Sequence, residues 1–202
     1  MKKIFLFMFI SIFIISVNVT QACEEIIVNI PVNGCEYQVI VCVDCTIGVA
    51  PTTLAVKSVM KIDNNCEESI TPEEILYAIN NLVSTYDFIY SNLCVETNYV
   101  PLPCYYYEEE EVDPDIIQSQ ITYLCFKKTY VWYFDEWHIN YVACDYDNYC
   151  LEEFYFCWIW MDGAPQYTKV TTSFTLHGSQ NCTLESWEAD FDECFKAHTA
   201  CY

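Results

Sequence analysis

EIIVNIPVNGCEYQVIVCVDC, residues 25–45, is the stretch on which the reading of the fold turns. Asn33-Gly34 sits near its centre, and that pair is the strongest short signal for a type I′ hairpin, whose two central residues both need positive φ. With the turn there, Ile26 faces Val41, Val28 faces Val39, Ile30 faces Tyr37 and Val32 faces Cys35, all on one side. The other side pairs Glu25 with Cys42, Asn29 with Gln38 and Pro31 with Glu36, with Ile27–Ile40 as its apolar exception. One face is dry and the other mostly wet, which fixes the register, because a one-residue slip would invert both. Pro31 cannot donate to a ladder, so its strand reads as an edge.

The hairpin ends in Cys42-Val43-Asp44-Cys45. Residues three apart on a strand point to opposite faces. A redox CxxC needs its first cysteine at a helix N-terminus, where the dipole lowers the thiol pKa. The run Thr46 to Pro51 starts no helix. A zinc site would need a second ligand set, for which Cys194, His198 and Cys201 are the candidates, yet in an exported chain such spacing favours bridges. Cys42 and Cys45 are therefore expected in two different disulfides, with Cys23, diagonal to Cys42, as its nearest partner.

Residues 1–22 read as a secretory signal of bacterial type: Met1-Lys2-Lys3, the apolar run Ile4 to Val17, then small residues up to Ala22. All 14 cysteines follow it: Cys23, Cys35, Cys42, Cys45, Cys66, Cys94, Cys104, Cys125, Cys144, Cys150, Cys157, Cys182, Cys194 and Cys201. In an oxidising compartment these are disulfide candidates, enough for seven bridges. A lipid anchor on Cys23 would leave one cysteine orphaned, and Thr20 stands where such a signal wants an apolar residue, so lipidation is not favoured. No second apolar run of spanning length follows, so a secreted or cell-surface protein is expected.

Beyond residue 22 the chain holds 29 acidic residues against six lysines and no arginine, a net charge of −23. Nucleic-acid binding needs cations to replace phosphate counterions and is excluded on that ground. With 53% hydrophobic residues and only four glycines, the chain has enough to bury for one domain, residues 23–202.

Thr71-Pro72-Glu73-Glu74 forms a capping box with proline in the first turn. Ile75, Leu76, Ile79, Leu82, Val83, Tyr86, Ile89, Tyr90 and Leu93 then recur at helical spacing, which predicts one helix from Pro72 to Leu93 packed on a sheet. An acidic loop at about 103–118 separates two halves and is the one place where calcium is a candidate; no other cofactor is expected. Strands are expected at 54–62, 121–134, 139–144, 151–160 and 167–176, and helical turns over 184–201. The fold class predicted is α+β: a mainly antiparallel sheet with one long helix across it, rich in disulfides.

Catalytic motifs such as GxSxG, HExxH, the P-loop and GxGxxG are missing. Asp145-Tyr146-Asp147-Asn148 starts like a calcium loop, but Tyr149 and Cys150 stand where an oxygen ligand and a glycine belong. The expectation is a non-enzymatic binding or structural protein with an extracellular or surface partner. Trp132, Trp137, Trp158 and Trp160 are candidates for a ligand platform. The rival is a secreted carbohydrate-active hydrolase with a carboxylate pair, such as Asp135/Glu136 or Glu152/Glu153, beside an aromatic cleft.

Overall fold

The computed structural model describes residues 23–45, 53–63, 66, 70–95, 99–109, 114, 116–178, 182–197 and 201. The segment read as a signal lies outside them, as does most of the acidic run of the 103–118 loop. The leading hairpin forms as its turn dictates. Strands β1 (Glu24–Val32) and β2 (Cys35–Asp44) pair antiparallel with Ile26 opposite Val41, Val28 opposite Val39 and Ile30 opposite Tyr37. Asn33 and Gly34 hold φ of 49° and 82°, the left-handed pair that a type I′ turn requires.

The helix expectation is corrected. The described residues are mostly strand, with three short helices and no long one among them. Helix α1 (Pro72–Val83) begins where expected: the Thr71 hydroxyl accepts from the Glu74 amide, and the Glu74 carboxylate accepts from the Thr71 amide at 2.8 Å. It stops at Ser84-Thr85. The Ser84 hydroxyl donates to the Asn81 carbonyl at 3.0 Å and the Thr85 hydroxyl to the Leu82 carbonyl at 2.8 Å. Such side chains offer the last carbonyls an alternative to continued helix. Thr85 then turns extended, at φ −80° and ψ 151°, and caps α2 (Tyr86–Phe88), which runs into a π-helical turn, Ile89–Leu93. Leu82, expected in the core, lies at the edge of the buried stripe of α1 and is 37% exposed, whereas Ile79 and Val83 are fully buried. Part of the acidic loop is helical as well: α3 spans Cys104–Glu109.

Six further strands complete one sheet with β3 (Thr53–Lys61): β4 (Gln118–Tyr123), β5 (Cys125–Tyr133), β6 (Glu136–Ala143), β7 (Tyr149–Met161), β8 (Ala164–His177) and β9 (Cys194–Lys196). The strand expected over 121–134 is therefore two, parted at Leu124. The helical turns expected over 184–201 are also corrected: the tail makes turns and then β9, which pairs antiparallel with β5 as Cys125–Lys196, Phe126–Phe195 and Lys127–Cys194. The open edge of β5 supplies a ladder that outweighs local helical spacing.

β3 is the branch point of the sheet. One of its edges pairs with β2. The other is shared, with β4 alongside Thr53–Ala55 in parallel and β6 alongside Ser58–Met60 in antiparallel. The sheet therefore forks into a β4-β7-β8 wing and a β6-β5-β9 wing. The buried face joins Ile30, Tyr37, Val39, Val41, Leu54 and Val56 to Ile75, Leu76 and Ile79 of α1, and takes in Phe126, Tyr141, Phe154, Phe156 and Phe195 from both wings.

Six disulfides cross-link this frame: Cys23–Cys42, Cys35–Cys66, Cys45–Cys94, Cys104–Cys157, Cys144–Cys194 and Cys150–Cys201. Cys42 and Cys45 thus lie in separate bridges. Cys125 and Cys182 remain as thiols in contact. The hydrogen bond between their sulfurs, then burial, holds the Cys125 thiol far above its ordinary range, and the same bond draws Cys182 down.

Candidate functional site

Strand direction sorts the four tryptophans named above. β3, β4, β5 and β8 run one way, and β6 and β7 run the other. The β5–β6 turn therefore lies at one end of the sheet and the β7–β8 turn at the opposite end. Trp132 and Trp137 stand on the first hairpin, Trp158 and Trp160 on the second, so the four do not make one platform.

On the first hairpin, register puts Phe126, Tyr130 and Trp132 on the same face as Ala143, Tyr141, Ile139 and Trp137. Phe126 and Tyr141 are in the core, and the same apolar face continues outward past the packed region. There Tyr130 is 54% exposed, Trp132 56% and Trp137 60%. Trp132 and Trp137 sit directly opposite each other, edge to face at 5.2 Å, and Tyr130 meets Trp137 in the same way at 6.4 Å. Phe191, from the segment before β9, stacks on Tyr130 at 4.2 Å and 14°. That segment is tied down: the Asp192 amide donates to the Lys128 carbonyl at 2.9 Å, and Asp192 and Lys127 form an ion pair at 3.6 Å. Tyr130 and Phe191 are members of the cluster that the sequence reading missed. The alternation Tyr130, Trp132 was legible, but the stacking of Phe191 depends on the tail's pairing.

His138 secures the hairpin from the other face. Its ring is buried, with Nδ1 2.9 Å from the Lys61 carbonyl and Nε2 3.0 Å from the Tyr133 carbonyl, so both nitrogens are engaged by backbone. The turn itself is unusual. Phe134 and Asp135 take φ of 46° and 63°, in the positions that Asn33-Gly34 and Asp162-Gly163 fill in the other two hairpins. Phe134 is 83% exposed.

The second hairpin end differs. Trp158 is half-buried, its amide donating to the Leu102 carbonyl at 3.2 Å, and its ring meets the exposed Trp160 at 6.3 Å. The carboxylates of the rival reading are placed too. Glu152 accepts from Lys169 at 2.8 Å and from Thr171 at 2.6 Å, while Glu153 accepts from Ser173 at 2.7 Å. As neighbours on β7 they point to opposite faces and cannot flank one bond. Asp145 accepts from the Asp147 amide at 3.0 Å and from the Asn148 side chain, which spends its carboxylate on the turn.

Two surface hollows accompany these features. One, of about 340 Å³, is lined by the Cys23–Cys42 bridge, Asp44, Lys57, Tyr123 and Tyr146. Burial, then Tyr146 and Tyr149, push the Tyr123 hydroxyl up, which keeps it a neutral donor. The other, more open and about 500 Å³, is lined by Tyr86, Asp87, Phe88 and Tyr167. Burial first, then Tyr167, push Tyr86 up to about 12. Each hollow holds a single carboxylate, and neither reaches Trp158 or Trp160. Among the described residues no group of three His, Cys, Asp or Glu side chains is placed to hold a metal ion. No helix among them is long and apolar enough to cross a membrane.

No protein-family model matches the chain, and neither a curated protein nor a solved structure is significantly similar to it.

Proposed function

We propose that the chain is an exported, non-enzymatic binding protein acting at or outside the cell surface, and that the β5–β6 hairpin end is its contact surface. One observation carries this reading: Trp132 and Trp137 extend the core face into solvent packed edge to face on each other, with Trp137 against Tyr130 and Tyr130 stacked on Phe191. Large aromatics are normally buried because of the area they remove from water. A held, solvent-facing pair is what an interface uses as an anchor, since little side-chain freedom remains to be lost on contact. The six disulfides suit an extracellular protein and stiffen the frame behind the hairpin.

The test has two parts. Truncating core aromatics costs about 3–5 kcal/mol; the double variant W132A/W137A should instead keep the melting temperature of the parent. The same variant should lose retention on the polymers that hold the parent, in a panel of immobilised neutral glycans, acidic polymers and basic peptides. Parent protein that no member of the panel retains, or retention indifferent to the substitutions, would overturn the proposal.

A further inference from the structure

The chemistry around the hairpin end narrows what can dock there. We infer that it receives a basic, arginine- or lysine-bearing segment of another protein; this rests on the hairpin end being the contact surface. Two segments build the surface, residues 127–138 and 187–193, joined by the Tyr130–Phe191 stack. Between them they carry six carboxylates (Asp135, Glu136, Glu188, Asp190, Asp192 and Glu193) against two lysines, Lys127 and Lys128. Of these lysines, Lys127 is engaged by Asp192. Glu136 alternates to the face opposite Trp137, and Lys128 shares the face of Tyr130. Glu188 and Glu193 accept from the Glu185 and Asp190 amides at 3.2 and 3.1 Å. A cation therefore meets a net negative charge there rather than a ring of free carboxylates. The faces of tryptophan and tyrosine carry the negative lobe of the ring quadrupole and attract cations, tryptophan most strongly. Aromatic faces on net acidic segments thus offer one cation two favourable terms. A guanidinium suits them best, because it stacks flat on a ring while its donors reach a carboxylate.

Charge also removes the competing occupants. A second copy brings the same −23, has no arginine, and ties up lysines elsewhere: Lys57 with Glu25 and Lys169 with Glu152, both at 2.8 Å. Nucleic acid and anionic membrane surfaces are repelled. A neutral glycan would stack on the rings but gain nothing from the negative charge.

The turn supplies a separate argument. A left-handed conformation is costly for a side-chain-bearing residue, which is why glycine or asparagine usually takes it. Here a phenylalanine takes it; its ring meets Tyr133 edge to face at 4.4 Å, yet 83% of it stays exposed. Contact with a partner would recover that cost. The turn presents Phe134 at the hairpin tip, where it can bury against the aliphatic stems of incoming lysine or arginine side chains.

The experiment uses the full oxidised chain and four probes: hexa-arginine, hexa-lysine, hexa-glutamate and a neutral β-glucan oligosaccharide. Tryptophan fluorescence and calorimetry give affinity at about 50 and about 500 mM salt, a range over which exposed charge interactions are strongly screened. The expected result is binding of hexa-arginine, weaker binding of hexa-lysine and none of hexa-glutamate. Affinity should fall by at least about tenfold across that range. W132A/W137A should weaken hexa-arginine by about tenfold or more, with the circular dichroism spectrum unchanged, and W160A should leave it intact. Equal hexa-arginine affinity in W132A/W137A would show charge acting alone and overturn the inference. Binding of the glucan in preference to hexa-arginine, lost in W132A/W137A, would overturn the inference while leaving the contact surface standing. Failure of hexa-arginine to bind at low salt would also overturn it.

Discussion

Glu73 and Ser186, 113 residues apart, share two hydrogen bonds that bind the start of α1 to the C-terminal segment. Glu73 Oε1 accepts from the Ser186 amide at 2.6 Å and Oε2 from its hydroxyl at 2.7 Å, with both residues buried. Burial by itself raises the Glu73 carboxyl, but the Ser186 bonds and those from its own helix start outweigh it, and the net direction is down from 4.5. A carboxyl lowered on folding adds stability that is present above its unfolded value and lost as pH falls through the folded one. E73Q should therefore cost about 1–3 kcal/mol at pH 7 in urea unfolding. The gap to the parent should narrow as pH falls below 4.5. An equal gap at every pH would mean that the charge plays no part.

The two leucines of α1 are unequal. Leu76 is fully buried, so Leu76→Ala should cost about 2–5 kcal/mol. Leu82 faces outward, so Leu82→Ala should stay within about 0.5 kcal/mol. Urea midpoints of the two variants decide it. A cost for Leu82→Ala comparable to that for Leu76→Ala would place Leu82 in the core.

Gly178 is the glycine that the fold cannot replace. It holds φ +88°, and a Cβ there would lie 2.6 Å from the Asp147 carbonyl and closer still to the Asn148 side chain. Gly34 has a similar φ but open space. Gly178→Ala should cost above about 2 kcal/mol and Gly34→Ala about 1 kcal/mol. Melting temperatures in that order are expected; the reverse order would place the 145–148 turn elsewhere.

Cys125 and Cys182 are expected to close on each other in the mature protein, since their sulfurs already touch and an oxidising compartment supplies the disulfide exchange. Alkylation of the native, unreduced protein should then label nothing. Label on Cys42 or Cys45 in that sample would refute the bridge map.

What could be read from the sequence followed from how local its cause was. Asn33-Gly34 specified its hairpin down to the residue pairs, because the turn type alone sets the register. Thr71 to Glu74 announced the start of α1 equally well. The end of that helix was written in Ser84-Thr85, but the apolar stripe ran through it, and only the hydroxyl-to-carbonyl bonds decide between stopping and continuing. The break at Leu124 lies within a run that reads as strand on either side, so nothing local marks it. The tail kept a helical spacing of cysteines while its structure came from β5, a partner some 70 residues distant. The candidate site shows the same division. Tryptophans on exposed hairpins were visible, whereas their separation onto opposite ends needed the strand directions of the whole sheet.

The bridge map divides the chain in a way the sheet does not. Every disulfide lies either within residues 23–94 or within residues 104–201, and the Cys125–Cys182 contact falls in the second set. The two covalent networks meet only through the backbone between Cys94 and Cys104. A protease site placed there would yield two fragments that part in non-reducing denaturing electrophoresis. Under native conditions they should elute together, held by β3 against β4 and β6 and by Glu73 against Ser186. Apart from one short tether, this chain is built like a heterodimer whose subunits are translated in tandem.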